Sequence, residues 1–419
     1  MLNRTEQPIL QPIEKVDFVA PQKHSINAQV DLFHMKKVAD ETTRIDLYFD
    51  AGKCKGLNGI PAFTNGLLLS GTKDKSSLEI NEAINSLGGF YESGLSIENS
   101  VVTIYCLREH AQSIFDTVLD AIKNVNFHEK EVTELLSDRK QKFSISMEKV
   151  SYGAQREFQK HLFASNEIYS SVSELEDFDN ATIEQLKKFH TDFYKKGLKK
   201  VVVVGDLNDE IISSFIDTCR PIAKETVGTY DSSIVSNPGN FIIEKEGAIQ
   251  TAIRVGRTLF NKNHSDYLEF LVLHTILGDY FGSRLMSNIR EDKGYTYGIG
   301  TMVSELNQTG YFLTSTEVRK DVRDATLKEI QYEFERLQNE LVQEDELELI
   351  KNYMLGQLLK SADGPYAMTD LFLSVQTHGK SLDFYNEAID VIKAIDANRI
   401  QELAKTYLRW EDLTVVACG

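Results

Sequence analysis

The chain has 419 residues, 42% of them hydrophobic and 26% charged, with a formal net charge of −17. That is too long for one compact core, enough for two domains of about 200 residues each, and too rich in apolar residues for bulk disorder. The negative charge argues against phosphate backbones and anionic membranes as partners, and no run approaches the ~18 apolar residues of a membrane span.

In chain order, the opening MLNRTEQPILQPIEKVDF has no apolar stretch of the secretory kind and no Arg/Ser richness, so the cytoplasm is the expected compartment. Cys54, Cys106, Cys219 and Cys418 lie far apart without a C-x-x-C pair and read as reduced, mostly buried thiols. A first strand, RIDLYFDAG (Arg44 to Gly52), leads into GIPAFTNGLLLSGT at residues 59–72. Residues 88–122 open with Gly and aromatics, alternate as strands do, turn, and close in an amphipathic helix; residues 294–330 follow the same order. Residues 181–205 set Ile183, Leu186 and Phe189 at helical spacing before a β-branched strand, Val201 to Val204. Residues 396–419 repeat this with Ile400, Leu403 and Tyr407 ahead of Leu413 to Val416. Such self-similarity predicts two copies of one α+β unit. They are placed at residues 1–232 and 241–419, joined by the linker-like SSIVSNPGN at 232–240. Strand runs followed by helix runs predict a mainly antiparallel sheet in each copy, with helices packed on one face.

The segment 59–72 resembles, without a gap, the zinc-site helix of the pitrilysin/insulinase-like zinc metallopeptidases, the inverzincins. Their first domain carries G-x-x-H-F-x-E-H-M-x-F-x-G-T after such a strand. Gly59, Phe63, Leu67, Gly71 and Thr72 fall on family positions or conservative replacements. The resemblance implies two His at i and i+4 as zinc ligands and a Glu before the second as general base. Here the first His position is Ala62, the Glu position Asn65 and the second His position Gly66. Ala and Gly offer no ligand atom, and an amide has no useful basicity. The family's third ligand, a Glu on a later helix, falls by spacing on Lys142, a cation with no lone pair. A shifted register offers Asp138 or Glu148, and a lone carboxylate is not a catalytic zinc site. The nine histidines (His24, His34, His110, His128, His161, His190, His264, His274 and His378) contain no i, i+4 pair beside an acid. No metal is therefore expected in this chain.

A second family segment is matched by GDYFGSRLMSNIREDKGYTYGIG at residues 278–300, which puts the family's helical Arg at Arg290 and its strand Tyr at Tyr297. Taken alone, Arg290 reads as a solvated charge among Glu291, Asp292 and Lys293, and Tyr297 as a half-buried strand residue. The resemblance instead implies a pair that faces the zinc across a cavity and stabilises the negative charge that builds on the carbonyl oxygen during peptide hydrolysis.

The resemblance runs from about residue 25 to 417, with later markers at 311–330 and 345–359. The family's non-catalytic processing-peptidase subunit has a long glycine-rich loop, whereas LHTILGDYFGSRL here has two glycines, which favours a bacterial-type paired peptidase. The implied function is that of a non-catalytic subunit supplying Arg290 and Tyr297 to a homologous partner that carries H-x-x-E-H and zinc, with peptides as substrate. The chain alone is a candidate homodimer. The rival readings are an inert scaffold or peptide-holding protein of the same fold, and an independent metallopeptidase with unrecognised ligands.

Overall fold

A computed structural model describes residues 13–36, 41–226 and 234–419. The first twelve residues and positions 232 and 233 of the expected linker lie outside the described residues. Among the described residues no helix is long and apolar enough to cross a membrane.

Six strands form the first sheet: β1 (Gln22–Ser25), β2 (Asp31–Met35), β3 (Thr42–Phe49), β4 (Phe90–Leu95), β5 (Ser100–Leu107) and β6 (Leu198–Val204), in the order β1-β2-β6-β3-β5-β4. Five form the second: β7 (Gly239–Ile243), β8 (Gln250–Leu259), β9 (Thr296–Glu305), β10 (Gly310–Arg319) and β11 (Thr414–Cys418), in the order β7-β11-β8-β10-β9. The directions repeat as well. β2 runs parallel to β6 as β7 does to β11, and the other pairs are antiparallel. The fold is α+β, with the β2-β6-β3-β5-β4 arrangement drawn twice.

Local chemistry fixes where several helices start. Ser76 with Glu79, and Thr182 with Gln185, form capping boxes that open the helices Ser77–Asn85 and Ile183–Phe193. Asp396 accepts the backbone N–H of Arg399 to open Ala397–Tyr407.

Strand alternation divides each sheet between two apolar environments. Val201 and Val203 of β6 join the main core of the first half, with Phe115, Phe215 and Tyr194. Val202 and Val204 face the other way and meet Leu373 of the helix Gly364–Gln376, which belongs to the second half of the chain. In β11, Val415 and Ala417 join the second core, while Val416 and Cys418 meet Ala154, Phe158 and Leu162 of the helix Val150–Leu162 from the first half. Each half therefore lends one helix to cover the far face of the other's sheet. That cover is why both strands are unbroken apolar runs rather than alternating ones. All four cysteines are free and buried.

Candidate functional site

After β3 the chain turns through Asn58 and Gly59, both at positive φ, into the short helix Ile60–Gly66 with Pro61 in its first turn. Gly59 has no substitute here, because a Cβ would run into the ring of Phe63. Asn65, at the family's Glu position, is buried and fully engaged. Its amide donates to Ser100 Oγ at 2.7 Å and to Tyr194 Oη at 3.3 Å, and its carbonyl accepts from Ser93 Oγ at 2.8 Å. Asn65 thus acts as a clasp between the helix and strands β4 and β5.

A side chain from another element packs against Ala62 and Gly66, the positions where the resemblance would put histidines. Arg139, on the helix Glu129–Met147, donates from Nη1 to the carbonyl of Ala62 at 2.7 Å. Its guanidinium lies over Gly66 so closely that a Cβ there would overlap Nη2 and stand 2.9 Å from Cζ. Lys142 of the same helix points away, paired with Asp138 at 2.7 Å in solvent. Glu148 pairs with Lys245, at 3.9 Å. Among the described residues no three His, Cys, Asp or Glu side chains gather in a way that could hold a metal ion. The residues around Ala62 and Gly66 do not fit zinc, since neither offers a ligand atom and a guanidinium packs against both. Nothing in the spacing around SDRKQKF singles out Arg139. The signal available was the empty space at Ala62 and Gly66, which some other side chain had to fill.

The helix and Arg139 border a cavity of about 340 Å³ that is also lined by Ser70, Tyr91, Ser93 and Glu134.

Arg290 and Tyr297 are brought together at the free edge of the second sheet. Arg290 sits in a widened helical turn of the π type, Met286–Asp292. Tyr297 lies at the start of β9, where the register with β10 slips between Thr316 and Val318. Such a bulge re-aims side chains out of the ladder, and Tyr297 is 93% exposed rather than half-buried. The Arg290 guanidinium lies over the ring of Tyr297 at 5.5 Å and over that of Phe281 at 4.5 Å. Phe281 is itself 63% exposed, and the sequence pattern did not single it out. Among the described residues Arg290 makes no ion pair with Glu291 or Asp292; the two rings hold it instead.

An insulinase (peptidase family M16) model matches residues 35–174, and a peptidase M16 inactive-domain model matches residues 180–354. The uncharacterized zinc protease YmxG of Bacillus subtilis (strain 168) is 23% identical over 83% of this chain and 85% of its own length. The probable inactive metalloprotease YmfF of the same organism is 22% identical over 47% of this chain and 46% of its own. A crystal structure of a peptidase M16 inactive domain from Pseudomonas fluorescens superposes with a TM-score of 0.85 at 20% identity, covering 96% of this chain and 98% of that one.

Proposed function

Because this chain belongs to the insulinase (M16) peptidase family and carries Ala62, Asn65 and Gly66 where that family's zinc chemistry resides, we propose that it is the non-catalytic subunit of a heteromeric zinc metalloendopeptidase. Its partner is a homologous chain with an intact H-x-x-E-H and its own zinc, and its compartment is the cytoplasm. Together the four domains enclose a cavity that admits unfolded peptides.

The observation that carries this reading is the pair of a half-buried Arg290 and an exposed Tyr297 whose ring lies under its guanidinium. A tyrosine left almost wholly in solvent contributes little to its own fold. Its hydroxyl is free to donate a hydrogen bond to the carbonyl oxygen of a bound peptide as negative charge develops there, while the guanidinium adds positive potential beside it. Contact with the two rings restrains the Arg290 guanidinium before substrate arrives, so less ordering is needed on binding.

The test is Tyr297→Phe in the reconstituted pair. The expected result is a fall in kcat of roughly 10²–10³-fold, as for loss of one oxyanion donor, with an unchanged melting temperature. An unchanged kcat would sink the role and favour an inert scaffold of the same fold.

A further inference from the structure

The first half replaces a cation site with a cation. Arg139 uses one N–H on the Ala62 carbonyl, and among the described residues no carboxylate lies within ion-pair distance of it. It is the largest positive group on the wall of the 340 Å³ cavity, where its companions include the hydroxyl-bearing Ser70, Ser77, Ser93 and Tyr91. The Ser70 hydroxyl is buried and has no hydrogen-bond partner among the described residues. A part-buried guanidinium with donors to spare, on a cavity wall that also carries hydroxyl groups, is an arrangement completed by an anion. Arg presents a planar fork that matches a carboxylate with two parallel hydrogen bonds.

We propose that this cavity binds the terminal carboxylate of a peptide, held by Arg139, whose guanidinium occupies the space that Gly66 leaves open. The remaining walls narrow the choice. Glu131 and Glu134 line the same cavity. They would repel a small dianion such as phosphate, and they favour a ligand that carries a positive group beyond its carboxylate. Glu134 lies five residues before Arg139 on one helix, roughly 7.5 Å along its axis. That separation is comparable with the reach of a lysine side chain, so a peptide ending in Lys or Arg satisfies both ends. The site lies wholly within this chain and needs no partner, so it stands or falls separately from the role of Arg290 and Tyr297.

The test is fluorescence anisotropy at low salt on the purified full chain, with a labelled octapeptide ending in Lys and a free α-carboxylate. Two companions are the same peptide amidated, and an amidated version with one internal Asp. The free acid is expected to bind at least about tenfold more tightly than the amide, as for loss of a charge-assisted pair. Arg139→Gln should bring the free acid down to the level of the amide. Gly66→Ala, which crowds the guanidinium out, should do the same, and Lys142→Ala should change nothing. Glu134→Gln should remove any preference for a final Lys over a final Ala. Melting temperatures of the variants separate loss of binding from loss of fold. Equal binding of acid and amide, or an affinity indifferent to both Arg139→Gln and Gly66→Ala, overturns the proposal. Binding of the internal-Asp amide equal to that of the free acid overturns its terminal-carboxylate part.

Discussion

The carboxylate of Glu98 accepts the backbone N–H of Asn307 at 2.8 Å. Glu98 lies in the β4–β5 hairpin turn and Asn307 in the β9–β10 turn that corresponds to it in the second sheet. The two copies of the fold are thus tied at equivalent points, with the Tyr169 hydroxyl donating to the same carboxylate at 2.9 Å.

That junction has a pH signature. Burial pushes the Glu98 carboxyl above its usual value of 4.5, against the opposing pull of its two hydrogen bonds. The folded chain therefore holds this proton more tightly than the unfolded one. Its contribution is complete below pH 4.5 and declines as pH rises through the elevated value. Glu98→Gln is expected to flatten the stability profile over the range where wild type declines, measured by urea midpoints from pH 4.5 upward. An identical slope in the two proteins refutes the assignment.

His190 works in the opposite sense. Its ring is buried, Nε2 donates to the Ile122 carbonyl at 2.6 Å, and burial drags its pKa from 6.5 to about 4. The unfolded chain takes up a proton near pH 6.5 while the folded chain refuses it. Stability is therefore full above 6.5 and is lost as pH falls toward 4, by about 3 kcal/mol at most. His190→Asn should start less stable, because the Ile122 carbonyl is left without this donor, and should lose less between pH 7 and pH 4.

Arg44 links three groups and should show strong asymmetry between its partners. It pairs with buried Asp46 at 3.0 Å and with Asp370, on the helix lent by the second half, at 2.6 Å. The Asp370 side chain is 62% exposed and that of Asp46 5%. Asp370→Asn should cost at most about 1 kcal/mol. Arg44→Met should cost about 3–5 kcal/mol, because it strands the Asp46 charge. Chemical denaturation of the two variants reads the difference; equal losses would show that Asp46 does not depend on Arg44.

Gly52 should tolerate no side chain. A Cβ there would fall 2.5 Å from the backbone nitrogen of Asn99 and closer still to Glu98, and backbone cannot rotate aside as a side chain can. Gly52→Ala is expected to lose about 1–3 kcal/mol or more and to loosen the Glu98–Asn307 junction. Faster hydrogen exchange at the Asn307 amide is the specific readout.

Much of this molecule was legible in its residues. The β-branched run at Val201 to Val204 and the helical spacing of Ile183, Leu186 and Phe189 are local signals that correspond to a strand and a helix, and the internal repeat corresponds to the strand order drawn twice. That Ala62 and Gly66 can bind no metal and Asn65 can take no proton needs only the side-chain formulae. What was not legible depends on contacts across the chain. The burial of Val202 and Val204 is completed by Leu373, well over a hundred residues away. Arg139 is one of several cations on a polar helix until the helix Ile60–Gly66 is packed beside it. The exposure of Tyr297 follows from a bulge in which Tyr297 and Gly298 of β9 oppose the single residue Glu317 of β10, a register visible only once the two strands are paired.

The exchange of helices between halves also bears on how the chain is made. When Val204 leaves the ribosome, the outer face of the first sheet has no cover, and the helix that supplies it ends at Gln376. At ordinary elongation rates that interval lasts roughly 10–35 seconds. Throughout it, Met35, Val202 and Val204 stand open to water on a nascent sheet. A chain built this way matures only once nearly all of it has been synthesised, and a truncation before Gly364 releases a product with a permanently sticky face.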